Sequence, residues 1–258
     1  MNVGGMAMQR YFISDECINN ELVKADAIMH KHIAKVMRQK EGNRVICIDS
    51  HKHVYLCEII DIEEGLLKIV ETLDDNHELD VDVTLVYGLP KGDKFEKVIQ
   101  KATELGVTRI VPFLSRRSLI KVDEKKWEKK AVRYQRIIQE AAEQSYRLIV
   151  PELTGCIKMN QLADYVSEVN LVAYEESAKE GEQSTFKQAM NRLTTSITIV
   201  VGPEGGFDEE EVEEMKKMGF EACGLGKRIL RSETAPLYML SVIGYERELN
   251  CEGRREDK

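Results

Sequence analysis

The stretch VTLVYGLPKGDKFEKVIQKATELGVTRIVPFL, residues 83–114, decides the fold. Val83–Leu89 is an apolar run of strand length, and RIVPFL at 109–114 is a second. Between them Phe95, Val98, Ile99, Ala102 and Leu105 recur at helical spacing. Asp93 and Glu96 give that helix a capping-box pattern at its start, and Gly106 offers a left-handed stop. A strand, a covering helix and a second strand are the unit of a parallel sheet.

The alternation continues toward the C-terminus. LIVPEL (148–153), NLVAYEE (170–176), SITIVVGP (196–203) and EACGLG (221–226) read as strands. Helical segments separate them, among them a long basic helix from about Asp123 to Ser145, and an apolar helix from about Glu233 to Leu249 closes the series. The pattern predicts an α/β fold with a mostly parallel sheet flanked by helices.

Toward the N-terminus the pattern changes. RYFI (10–13), RVICID (44–49), HVYLCEIID (53–61) and LLKIVET (66–72) are short strand-like runs. One helix interrupts them, over Ala25–Lys40, with Ile28, Met29, Ile33, Val36 and Met37 as its apolar positions and Gly42 as its stop. Residues 8–78 therefore read as a small barrel with one helix. The polar DDNHELD at 74–80 reads as a linker to a larger domain, 79–250. MNVGGMA at the start has no periodicity, and Met8 reads as the natural first residue.

Composition narrows the function. No apolar run approaches the ~20 residues of a membrane span, and no secretory signal opens the chain. A cytoplasmic protein is expected. Six cysteines form no CxxC pair, which disfavours a zinc ribbon. His30/His32 and His51/His53 are HxH triplets without further ligands nearby, so no metal is expected. Net charge is −8, unfavourable for a polyanion binder as a whole. The charge is segregated, however. Arg109–Arg147 holds eleven Lys/Arg against five Asp/Glu, and Glu204–Glu221 holds eight acids against two lysines. A basic face can meet RNA while an acidic helix stays in solvent; solvated helix faces explain the same counts equally well.

Two glycine-rich segments follow strands in the C-terminal half: Gly202-Pro203-Glu204-Gly205-Gly206-Phe207, and Gly224-Leu225-Gly226-Lys227-Arg228-Ile229-Leu230-Arg231. Ligands of open parallel sheets bind beyond the carboxyl ends of the strands, where glycine lets backbone groups approach closely. Neither segment has the GxGxxG or GxxxxGK[ST] spacing of a nucleotide-phosphate loop. Glu204 and the acids at 208–211 would repel a pyrophosphate. A ligand with a hydroxylated sugar or a positive charge suits such a pocket, and S-adenosylmethionine has both.

GPEGGF at 202–207 followed by LGKRILRSETAP at 225–236 resembles the RsmE family, 16S ribosomal RNA uridine-N3 methyltransferases of the SPOUT (trefoil-knot) class. RYFI, HIAKVMRQKEGN (32–43), KGDKFEKVIQKATELGVTRIVPF (91–113) and EAAEQSYRLIVPEL (140–153) match in order, so the likeness spans about Gln9–Glu248. Tyr146-Arg147-Leu148-Ile149 departs from a more polar family stretch. The resemblance implies a PUA-like N-terminal β-barrel over 8–78 and a knotted methyltransferase domain over 79–250. It implies a pocket for S-adenosyl-L-methionine formed by Tyr174 and Glu175, by Val201, Gly202, Pro203, Gly205 and Gly206, and by Leu225, Gly226, Arg228, Ile229 and Leu230.

Methylation of uracil N3 requires loss of a proton and stabilisation of charge on the flanking oxygens. Arg231 is the candidate for the second task, because a guanidinium stays charged and donates in a planar fork; a salt bridge to Glu233 is its structural alternative. Glu204 is the candidate proton acceptor or sulfonium partner, with a turn-capping role equally open. Ser232 and Thr234 are expected to cap the final helix. The target base must be unpaired or flipped out. Arg10, His32, Lys35, Arg38, Arg116, Arg117, Lys121 and Arg147 are the candidate contacts to 16S rRNA in the small ribosomal subunit. A homodimer is implied, for which Leu237, Met239, Leu240, Val242 and Ile243 offer an apolar face that can equally be core. A nucleotide-binding α/β enzyme and a non-catalytic ribosome-binding module remain as alternatives.

Overall fold

The computed structural model describes residues 8–118, 124–174 and 183–250. The chain forms two compact units: one runs to Glu78 and takes in Ala142–Val150, the other comprises Leu79–Ala141 and the chain from Pro151.

In the first unit β1 (Arg10–Phe12), β2 (Ile18–Asn19), β3 (Leu22–Lys24), β4 (Arg44–Ile48), β5 (Val54–Asp61) and β6 (Leu66–Leu73) make one sheet in the order β1-β4-β5-β6-β3-β2. Only the β1–β4 pairing is parallel. Tyr11 of one edge strand and Ile18 of the other pack on the same core as Val23, Val45, Cys57 and Leu67, so the sheet curls. Alternate residues of β4 face opposite sides. Val45 and Cys47 enter that core, while Ile46 and Ile48 pack with Val54 under Leu148 from the returning segment.

The helix expected over Ala25–Lys40 is shorter and changes pitch. α1 (Ala27–Lys31) starts at Asp26, whose carboxylate accepts from the N–H groups of Ile28 and Met29. A single π turn, His32–Val36, follows. Its wider turn shifts the phase of a 3.6-residue stripe. Met29 and Ile33 are buried, but Ile28 is 80% and Val36 61% exposed. Arg38, at φ 52°, takes the left-handed stop, and Gly42 instead turns the chain into β4.

In the second unit β7 (Asp82–Gly88), β8 (Arg109–Phe113), β9 (Glu152–Leu153), β10 (Val169–Ala173), β11 (Ser196–Val201) and β12 (Glu221–Cys223) form an all-parallel sheet, ordered β12-β10-β11-β7-β8-β9. α2 (Lys94–Glu104), α3 (Glu124–Gln144), α4 (Gln183–Arg192), α5 (Glu209–Lys217) and α6 (Ala235–Gly244) accompany it. Ile197–Val201 is buried throughout, as expected of a strand covered on both faces. The α2 stripe packs inward through Phe95, Val98, Ile99 and Ala102, and Gly106 stops the helix at φ 92°. Asp93, at φ −90° and ψ 8° rather than the extended backbone of an N-cap, does not cap it through its side chain, and Glu96 pairs with Arg133 at 2.8 Å. The capping box lies instead at α5, where Asp208 and Glu211 bond each other's backbone N–H. Met239, Leu240 and Ile243 of α6 are fully buried within the chain, so they serve the core rather than a dimer face. No helix among the described residues is long and apolar enough to cross a membrane.

Candidate functional site

Strands β7, β10, β11 and β12 end on one edge of the second sheet, and the two glycine-rich segments leave from two of those ends. Close approach there demands glycine. A Cβ on Gly88, the last residue of β7, would stand 2.4 Å from the Pro203 ring, and one on Gly202 would stand 3.1 Å from the Gly206 backbone. Gly206 and Gly226 hold φ of 64° and 101°, a region that L side chains rarely adopt.

The segments enclose a cleft of about 860 Å³, within the size range of small-molecule sites. Tyr174, Val201, Gly202, Pro203, Gly205 and Gly206 line it from one side. Leu225, Gly226, Arg228, Ile229 and Leu230 line it from the other, and Glu204 and Arg231 also face it. All the expected pocket residues that are described thus meet in one place. Glu175 and Lys121 lie outside the described residues.

A lysine that sequence reasoning passed over organises the cleft. Lys94 Nζ lies 3.1 Å from Glu204 and 3.3 Å from Glu233, joining the first glycine-rich loop to the residues that follow the second. The backbone N–H of Lys91 also donates to Glu204, at 3.2 Å. Partial burial acts to raise the Glu204 carboxyl, but the bonds from its own backbone N–H, Lys94 and Lys91 outweigh it and hold the group below the ordinary carboxylate range. Glu233 is lowered too, chiefly by its own backbone N–H and then, against a burial penalty, by Lys94 and Ser232. The signal for Lys94 was its place in the first turn after β7, which must face the ligand edge of the sheet.

Behind Glu233 the ring of Tyr87 stacks on Phe95 at 6.1 Å, and its fully buried hydroxyl has no hydrogen-bond partner among the described residues. The hydroxyl lies beside Ser232, outside bonding geometry, and burial raises its pKa. Ser232 donates to Glu233 at 3.2 Å, and Thr234 precedes α6 without a side-chain cap bond, so neither residue caps that helix.

Arg231 makes no bridge to Glu233, which Lys94 already holds. Arg231, Arg228 and Lys227 are exposed at the cleft and have no side-chain partner among the described residues. Arg117 joins them at the rim, donating to the Gly205 carbonyl at 3.1 Å.

The other expected RNA contacts divide. Lys35 and Arg38 are exposed. His32 Nδ1 lies 2.9 Å from the Tyr11 hydroxyl, and His30 Nε2 bonds the Ile62 carbonyl, so this HxH pair serves two different partners. Arg10 and Arg147 are 4% and 2% exposed and do not face solvent. Arg10 pairs with Asp75 at 3.0 Å and lies over the Tyr146 ring, while Arg147 pairs with Glu78 at 2.6 Å. They hold the returning segment to the first unit. Arg116 is exposed but neutralised by Glu210 at 2.6 Å and Glu214 at 3.4 Å. Asp15, Asp49 and His51 come within 4.8 Å of one another, but the Asp49 carboxylate already accepts from His53 and Tyr55.

The model of an RNA methyltransferase domain matches residues 77–244, and that of an RNA methyltransferase PUA domain matches 31–72. Ribosomal RNA small subunit methyltransferase E of Bacillus subtilis is 42% identical, with 94% of this chain and 98% of that protein covered. The protein of the same name from Synechocystis is 32% identical, over 92% and 77%. The crystal structure of ribosomal RNA small subunit methyltransferase E from Neisseria gonorrhoeae, bound to S-adenosyl methionine, superposes with a TM-score of 0.78 at 27% identity, covering 92% of this chain and 97% of that one. Two matching domains in order, and likeness along nearly the whole length, place this chain in the ribosomal RNA small subunit methyltransferase E family.

Proposed function

We propose that the protein uses S-adenosylmethionine to methylate N3 of a single uridine in 16S rRNA. The observation that carries this reading is Arg231, without a partner among the described residues, at the mouth of a cleft built from two glycine-rich loops. The cleft suits the cofactor. It has close-approach backbone, apolar wall from Val201, Leu225 and Leu230, and the carboxylates of Glu204 and Glu233 for a cationic ligand. When bound, S-adenosylmethionine supplies a methyl group on a positively charged sulfur.

The chain's own residues supply position and charge. Lys94 bridges Glu204 and Glu233 and adds to the backbone bonds that hold both carboxyls below the ordinary range. A carboxylate held below its ordinary pKa is a poor proton acceptor, so Glu204 acts as an electrostatic and positioning group rather than as the base. Arg231, with no carboxylate partner among the described residues, donates to a uracil oxygen as negative charge develops there. Lys35, Arg38, Arg117, Lys227 and Arg228 are exposed cations that can meet RNA phosphates. The enzyme acts as a homodimer, for which Tyr238, Tyr245 and Leu249 offer exposed apolar surface on and just beyond α6. The deciding experiment is nucleoside mass spectrometry of 16S rRNA from a deletion strain. Loss of 3-methyluridine, restored by the gene in trans, is expected, and an unchanged level refutes the reading.

A further inference from the structure

α3 carries a charge pattern that helix stability opposes. Lys125, Lys126, Lys129 and Lys130 all lie in its first two turns, all exposed, and its last turn holds no basic residue. The N-terminus of a helix carries partial positive charge, so cations there are unfavourable. Lys125–Lys129 and Lys126–Lys130 are also like-charge pairs four residues apart, which repel. Arg133 and Arg136 extend the exposed face by two more turns, and Glu128 is the single acid between Lys125 and Arg136. Arg133 is paired with Glu96 and Arg136 with Glu140. Lys125, Lys129 and Lys130 have no partner among the described residues. A chain of net charge −8 concentrates cations where its own fold disfavours them.

The helix is also anchored beside the cleft. Phe95, the neighbour of Lys94, meets Trp127 at 6.2 Å and Tyr134 at 4.9 Å, and those two rings meet each other at 5.8 Å. The inward face of α3 is thus fixed to the element that clasps the glycine-rich loops, while its lysine face looks to solvent. We infer that the exposed Lys125–Lys130 face of α3 is a docking surface for the phosphate backbone of the RNA substrate, outside the cleft. This rests on the proposed reading of the protein as an rRNA methyltransferase. It adds a surface that orients RNA without touching the reacting base.

The test uses the full chain and a 16S rRNA transcript, with binding followed by fluorescence anisotropy from low to high KCl. The triple variant Lys125→Gln/Lys129→Gln/Lys130→Gln is compared with wild type and with the corresponding triple Lys→Arg variant. Each phosphate contact contributes about 0.7–0.9 to the slope of log K against log salt. The Gln variant is expected to lose about 2–3 from that slope and to bind at least ~10-fold more weakly at low salt. The Arg variant should keep the wild-type slope, and Glu128→Gln should bind more tightly. S-adenosylmethionine affinity and kcat at saturating RNA should stay within a factor of about two of wild type in every variant, because the face acts through phosphate contacts alone. A Gln variant with unchanged slope and affinity overturns the inference, as does wild-type protein that binds no RNA. Wild-type protein that binds RNA with the expected loss in the Gln variant, yet transfers no methyl group, leaves the docking surface standing and refutes the proposed reaction instead.

Discussion

Arg231 and Lys94 are both cations at one cleft, and their surroundings give them opposite work. Lys94 has two carboxylates within 3.3 Å and acts as a clasp. Arg231 has none among the described residues and keeps its donors for a ligand. Substitution of Arg231 by Ala is expected to lower kcat by ~10²–10³-fold, the scale for loss of one donor aimed at developing charge. Calorimetry should find S-adenosylmethionine affinity within about twofold of wild type, since among the described residues no side-chain contact of the loops depends on Arg231. A wild-type kcat would remove Arg231 from the mechanism. At this scale the two glycine-rich turns were legible in advance, because turns of that kind after apolar strands announce themselves locally, whereas Tyr174 entered only through the family resemblance. Lys94 was not, because its partners Glu204 and Glu233 lie more than a hundred residues away in the chain.

Among the elements, α5 joins the acidic region to the sheet. Asp208 caps it, and Glu211, 1% exposed, bonds both the Asp208 N–H and, at 2.7 Å, the Arg116 N–H. The acidic helix is therefore tied down on one side rather than wholly solvated. Asp208→Ala should cost about 1 kcal/mol, within the range for loss of a helix cap, read as a lower urea midpoint. Retention of the wild-type midpoint would show that Glu211 suffices alone. The elements also show where periodicity is a sound guide. The α2 stripe held because an unbroken α-helix keeps its phase. The α1 stripe held only at Met29 and Ile33: Ile28 already faces solvent before the π turn, and that turn leaves Val36 and Met37 off the core, with nothing in the residue pattern to mark it.

Across the whole molecule, charge is used in separate places for separate ends. At the start of β10 and β11, Glu168 accepts from Thr194 and Thr195 through both side chains and backbone, and the side chain of Thr194 is the largest cause of a pKa lowered to about 2. A depressed carboxyl pKa gives stability that is complete above the ordinary value of 4.5 and disappears as pH falls toward 2. Glu204 and Glu233, lowered at the cleft, add in the same direction. The melting temperature should therefore fall on acidification below about pH 5. Glu168→Gln should melt lower at neutral pH and lose less on acidification; a curve parallel to wild type would exclude Glu168 as a source. From the sequence alone came the alternation of strands and helices after residue 82 and the position of both loops, because each is written in the periodicity and turn chemistry of neighbouring residues; the short strands β2 and β3 and the return of Ala142–Val150 to the first unit were not. Only the tertiary structure decided which cations are free. Arg10 finds Asp75 across 65 residues, Arg147 finds Glu78 across 69 and Arg116 finds Glu210 across 94, whereas Arg231 finds no carboxylate among the described residues. A charge is neutralised by what the fold brings beside it in space, and that neighbour is not encoded near it in the chain.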